Sequence, residues 1–144
     1  MLLLAGCVFH VGADTWEDGS AYASVFESRD KAHELRLDNR RRMRDLQTGM
    51  SEADVDRVMG TGSVWINDAI GEVANPYKTE GWTAADGQPM TARYYYTSLR
   101  KRDNIIDDDE LTPVVLESGR VIGWGDSFFD RHDERPHRRP HGRS

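Results

Sequence analysis

The sequence is poor in cysteine, poor in proline and without a long apolar run: it has one Cys and five Pro in 144 residues. The single thiol, Cys7, excludes an internal disulfide framework and any zinc site built on paired cysteines. No stretch approaches the roughly 18 apolar residues that a membrane-spanning helix needs, and the longest apolar stretch is Met1 to Phe9. Leu, Ile, Val and Phe total only 28 residues, which is at the edge of disordered compositions. Full disorder is excluded by the small net charge of -6, and four Trp and five Tyr supply large side chains to bury. One compact domain with disordered ends is expected.

Positive charge is scarce in the body and concentrated at the end. Residues 131–144 hold five Arg against Asp133 and Glu134, so residues 1–130 carry -9. An acidic body argues against nucleic acid as a partner, which would call for a basic face. The tail alone suits an anionic surface.

The motifs of common catalysis are missing too. There is no Gly-x-Ser-x-Gly, no phosphate-binding loop and no Gly-x-Gly-x-x-Gly; Gly60-x-Gly62 lacks the rest. No His of the body is placed to activate a serine. A non-enzyme with no catalytic residue, no cofactor and no metal is expected. Asp103 to Glu110 holds five carboxylates in eight residues, but without the calcium-loop glycine and spacing, so a solvated loop is the better reading. His132, His137 and His141 lie in a tail that offers no supporting shell for a metal.

What is present begins at the N-terminus. Leu4-Ala5-Gly6-Cys7 is similar to a bacterial lipobox, where small residues precede the cysteine that is acylated. Only six residues precede Cys7 and none is basic, so the segment is read as a truncated lipoprotein signal, with the true start upstream of Met1. Val8 to Ser28 has no clean period and reads as a tether, roughly 70 Å when extended and about 25 Å as a coil. Trp16, Tyr22 and Phe26 within it suit docking on the body.

Arg29 to Gln47 is expected to be a helix, with Ala32, Leu35, Met43 and Leu46 on one stripe and Asn39 interrupting it. Arg40, Arg41, Arg42 and Arg44 read first as a solvated face, and second as a contact for phosphate or lipid headgroups. Gly49 ends this helix in a left-handed conformation. Ser51 and Asp54 form a capping-box pair that starts a second, short helix with Val55, Val58 and Met59 inward, stopped by Gly60 and Gly62.

Strands follow: Tyr77 to Thr83, a turn at Ala85-Asp86-Gly87-Gln88, then Met90 to Leu99. A second hairpin runs Leu111 to Glu117, Ser118-Gly119, Arg120 to Trp124. Pro113 suggests an edge strand or a strand start. From Asp130 onward Pro, Arg and His dominate and disorder is expected. The result is an α+β, two-layer sandwich, with two N-terminal helices packed on a three- to four-stranded antiparallel sheet. The divisions are 1–7 signal, 8–28 tether, 29–129 body and 130–144 tail.

Leu46-Gln47-Thr48-Gly49-Met50-Ser51, followed by Val55, Met59 and Gly60, resembles the start of the BamE (SmpA/OmlA) family of small outer-membrane lipoproteins. Asn75-Pro76-Tyr77, Tyr94-Tyr95-Tyr96, the segment Asp108 to Pro113 and Ile122-Gly123-Trp124-Gly125 are similar to an uncharacterised bacterial lipoprotein family of that type. The resemblance covers roughly residues 45–125. It implies two helices against a three-stranded antiparallel sheet, a fold also similar to that of β-lactamase inhibitory proteins. It further implies a lipid anchor at Cys7 in the outer membrane, facing the periplasm, since Val8 is not the Asp that retains many such lipoproteins at the inner membrane.

Two function classes follow. One is a lipid-anchored protein-binding or scaffolding module of the envelope, in outer-membrane assembly or maintenance. The other is an inhibitor or small-ligand-binding module of the β-lactamase-inhibitory type. The residues singled out for a protein-binding face are Trp82, Arg93 and Tyr95, because Trp, Tyr and Arg dominate interface energetics.

Overall fold

A computed structural model describes residues 31–125 and Phe128. Its described part opens with helix α1, residues 31–43, followed by α2, Glu52–Met59. Six strands follow: β1 Ser63–Asn67, β2 Gly71–Ala74, β3 Lys78–Thr83, β4 Pro89–Tyr96, β5 Leu111–Glu117 and β6 Arg120–Trp124. The 3-10 turn Asp108–Glu110 leads into β5. The class is α+β, two helices followed by antiparallel sheets, as the sequence implies. The signal, the tether and the tail lie outside the described residues.

Local chemistry sets the element ends. The Ser51 hydroxyl accepts from the Asp54 N–H, and the Asp54 carboxylate accepts from the Ser51 N–H, so two donors of the first turn of α2 are satisfied. Gly60 leaves α2 at φ 77°, and the Cβ of any other residue there would lie 2.9 Å from Arg42 Nη1. The β5–β6 turn places Ser118 and Gly119 both at positive φ, which matches the right-handed twist of a tight hairpin.

The four-stranded sheet runs β3-β4-β5-β6, every neighbour antiparallel and consecutive in sequence. The β6 edge is extended by the turn between the helices: Gly49 N–H donates to Val121 O at 2.7 Å, Val121 N–H to Met50 O at 2.8 Å, and Ser51 bridges Arg120. Pro113 is not on an edge strand, since β5 is paired on both sides. Its carbonyl accepts from Gly125 at the end of the β5–β6 ladder, so its missing N–H breaks no bond of that ladder.

The Val64 to Ala74 stretch has no assigned structure in the sequence reading. It forms a separate two-stranded hairpin, β1–β2. Ile66 and Val73 of this hairpin cluster with Met90, Ala92, Tyr94, Tyr96, Leu111 and Val115. The opposite face of the same sheet carries Tyr95, Val114, Leu116 and Val121, packed with Val55 and Met59 of α2. Both faces of β4 and β5 are therefore covered, which is why Tyr94, Tyr95 and Tyr96 are all buried. Helix α1 belongs to both clusters: Ala32 and Leu35 join the first, while Met43, with Leu46 just beyond the helix, joins the second.

Candidate functional site

The three residues singled out for an interface do not share one exposed surface. Trp82 pairs with Met90, so it stands on the Ala92–Tyr94–Tyr96 face and packs, half-buried, against the first cluster. Arg93 and Tyr95 stand on the other face, under α2. Tyr95 is fully buried. The Arg93 side chain is 13% exposed and is held by the Asp56 carboxylate, with Glu52 at 3.9 Å. The expected flat face of Trp82, Arg93 and Tyr95 is thus corrected: the β3–β4 register sends Trp82 to the side opposite Arg93 and Tyr95. Cys7 lies outside the described residues.

Arg93 does have a definite job, as the charged clamp that seats α2 on the sheet. Tyr95 lies beneath the same helix, its hydroxyl buried beside the Arg93 guanidinium without a well-formed hydrogen bond among the described residues. Burial pushes the Tyr95 pKa up, and the neighbouring Arg93 guanidinium only partly offsets this. These groups are engaged in packing and leave no open site.

A second polar cluster joins α1 to the rest. Asn39, fully buried, donates to Tyr96 O at 2.9 Å and exchanges amide hydrogen bonds with Asn75. Asn75 also donates to Met59 O at 3.2 Å. One turn earlier in α1, Arg36 Nη1 donates to the Tyr96 hydroxyl at 2.8 Å and lies over its ring. Burial raises the Tyr96 pKa, against the pull of Arg36. Asn39 therefore does not interrupt the inward stripe of α1; it is its polar centre. The one signal in the sequence was an Asn at a core position of a helix, where a buried amide must find partners.

Beside this cluster a groove of about 300 Å³ lies between α1 and the start of β1, lined by Glu34, Asp38, Arg42, Gly62, Val64 and Asn75 among others. Its side chains carry both signs of charge and enclose no matched set for one ligand. In the acidic loop Asp103, Asp108 and Asp109 are exposed, and Glu110 is the exception. Glu110 is buried, and its carboxylate accepts from the N–H groups of Arg100, Lys101 and Asp107. It is an internal tie for the loop rather than part of a solvated charge run. Among the described residues no group of three His, Cys, Asp or Glu is placed to hold a metal ion.

The exposed aromatic surface lies elsewhere. Trp65 on β1 is 56% exposed, on the hairpin face that also carries Ser63 and Glu72, which are hydrogen-bonded to each other.

The family model for a protein of unknown function (DUF3192) matches residues 5–131. The chain belongs to the DUF3192 family. That match takes in Cys7, the 8–28 segment and the described body together. No curated protein and no solved structure matches the chain. Among the described residues no helix is long and apolar enough to cross a membrane.

Proposed function

We propose that this DUF3192 protein is a non-catalytic, lipid-anchored envelope protein that works as a protein-binding or scaffolding module. The reading is carried by one observation: the only thiol, Cys7, sits in Leu4-Ala5-Gly6-Cys7, inside the family-matched span. The anchor is a diacylated Cys7, which supplies the two or more chains that stable membrane attachment requires. The resemblance around Leu46 to Gly60 supports a BamE-like lipoprotein of the outer membrane, facing the periplasm.

The surface offered to a protein partner is the solvent face of the β1–β2 hairpin, centred on Trp65. Trp65 is the most exposed of the described Trp, Tyr and Phe side chains, and Trp is a common interface anchor. The described polar groups at Arg93, Asn39, Asn75 and Glu110 are engaged in holding the fold, which supports binding rather than chemistry.

The test uses the protein expressed from its full reading frame in a bacterial host. Expected are incorporation of labelled fatty acid and fractionation with the outer membrane, both abolished by Cys7→Ser. A photoreactive residue in place of Trp65 is expected to crosslink an envelope protein. An unlabelled, non-sedimenting wild-type chain overturns the anchor.

A further inference from the structure

Among the described residues a basic surface on α1 and the turn after it serves no part of the fold. Residues 31–47 carry six Lys or Arg against three Asp or Glu, whereas residues 48–125 carry seven against thirteen. Charge is therefore polarised, with a basic first helix on an acidic body.

The arginines of α1 and of the turn that follows it divide into two sets. Arg36 is buried on Tyr96, and Arg42 donates to Met59 O at 2.7 Å, so both serve the fold. Arg40, Arg41 and Arg44 are exposed. Arg41 has Asp38 at 3.5 Å, an exposed pair of little worth, and among the described residues Arg40 and Arg44 make no ion pair. On α1, at about 100° per residue, Arg40 and Arg41 bound an arc of about 100° that also holds His33 and Leu37, and Arg44 follows in the turn just beyond the helix. No described carboxylate of α1 falls in that arc.

We infer that this arc of α1, continued by Arg44 in the turn beyond it, is a contact surface for anionic phospholipid headgroups. Three features select a phosphate-bearing surface. The cations are all arginine, whose planar fork matches phosphate oxygens in pairs. They present a shallow row along a helix flank rather than a pocket, which suits a flat partner. The body behind them is acidic, so an anionic surface attracts this helix and repels the rest, which orients the domain. The inference rests on the envelope reading for where such a surface is met. The orientation it implies holds α1 against the bilayer and turns the acidic strands away from it.

The experiment uses the full-length, unacylated Cys7→Ser chain, so that it reads the arginines and not the anchor. Co-sedimentation is measured with vesicles of phosphatidylcholine and of phosphatidylcholine with phosphatidylglycerol. The chain is expected to bind the anionic vesicles, to release as salt is raised, and to bind neutral vesicles weakly. Replacing Arg40, Arg41 and Arg44 together by Glu is expected to weaken anionic binding roughly a hundredfold. A second triple variant with Gln guards against misfolding of the first, and is expected to lose binding in the same direction. Arg100→Glu with Lys101→Glu and Arg102→Glu makes the same change in total charge on another surface, and is expected to lose far less. Equal loss in the two Glu variants, or equal binding to neutral and anionic vesicles, overturns the inference. Fatty-acid labelling of Cys7 is read separately, so failure of the arginine surface and failure of the anchor are distinguishable.

Discussion

Asn39 and Asn75 hydrogen-bond to each other in both directions, Asn75 Nδ2 to Asn39 Oδ1 at 2.7 Å and Asn39 Nδ2 to Asn75 Oδ1 at 3.1 Å. Each amide also has a backbone partner, Tyr96 O for Asn39 and Met59 O for Asn75. One closed amide pair thus ties α1, the end of α2 and the end of β4. Removing either member leaves the other's buried amide oxygen without a donor, while its amide nitrogen keeps its backbone partner. Asn39→Ala is expected to cost about 2–3 kcal/mol in denaturant unfolding. Asn75→Ala is expected to cost a similar amount, and the double variant much less than their sum. Strict additivity in that cycle would refute the coupling.

The capping box of α2 predicts a pH dependence. Hydrogen bonds from the Ser51 N–H and hydroxyl, then from Arg57, hold the Asp54 pKa below the ordinary aspartate value. A carboxyl with a lowered folded-state pKa stabilises the fold above its unfolded value. That contribution is lost as pH falls through the lower, folded-state value. Ser51→Ala is expected to destabilise by about 1 kcal/mol near neutral pH. The gap from wild type is expected to narrow in acid, as Asp54 is protonated in both. Thermal melts of the pair from neutral to strongly acidic pH measure it.

Tyr95 and Tyr96 are adjacent, and their hydroxyls predict opposite outcomes. The Tyr95 hydroxyl makes no well-formed hydrogen bond among the described residues, having only the Arg93 guanidinium nearby, so Tyr95→Phe is expected to cost little or nothing. Tyr96→Phe removes the acceptor of Arg36 and is expected to cost about 1–3 kcal/mol. Both phenols have raised pKa values, chiefly through burial. Their shared contribution is full below the ordinary tyrosine value and is lost as pH rises through the folded-state values, so stability is expected to fall in strong alkali. Equal destabilisation by the two Phe variants would count against this assignment.

Gly123 predicts a steric effect. A Cβ built there would run into the Phe128 ring, which packs against the first core cluster. Gly123→Ala is expected to expel that ring and cost about 1–3 kcal/mol. Adding Phe128→Ala is expected to remove most of the further penalty that Gly123→Ala brings. An unchanged melting temperature for Gly123→Ala would remove Phe128 from the core.

Glu110 predicts local rather than global loss. Glu110→Ala orphans three backbone N–H groups of the 100–107 loop, whereas Glu110→Gln keeps one acceptor oxygen. Proteolysis within that loop is expected to accelerate strongly in the Ala variant and modestly in the Gln variant. Equal rates in wild type and Glu110→Ala would show that the tie does not order the loop.

Strands β3 to β6 and their turns were legible because their signals are local. Gly87 and Ser118-Gly119 take the positive φ that their turns require, and Gly49 takes it at φ 88° as the helix break implied. The Ser51–Asp54 box was legible for the same reason. The β1–β2 hairpin was not, since its strands are only five and four residues long, with a polar turn at Asn67 and Asp68. The grouping of Trp82 with Arg93 and Tyr95 failed on register. Which face a strand residue takes depends on its partner across the ladder, and alternation within one strand does not reveal that. Coverage of both sheet faces hid Tyr95 as well, because alternation then no longer separates inside from outside. Asn39 and Glu110 were illegible as core residues because their partners lie 36 residues away or on backbone atoms.

The pairing of residues 49–51 with β6 has a consequence for synthesis. Gly49 and Val121 are joined only after the whole intervening meander exists, and loops of that length close slowly. A ribosome delivers α1 and α2 first, yet Val55 and Met59 have no sheet to bury against until β4, β5 and β6 emerge. An eight-residue helix such as α2 is marginal by itself in water. The docking of α2 therefore waits for the last strand, so the two sides of the sheet are covered at different moments of synthesis, the α2 side last.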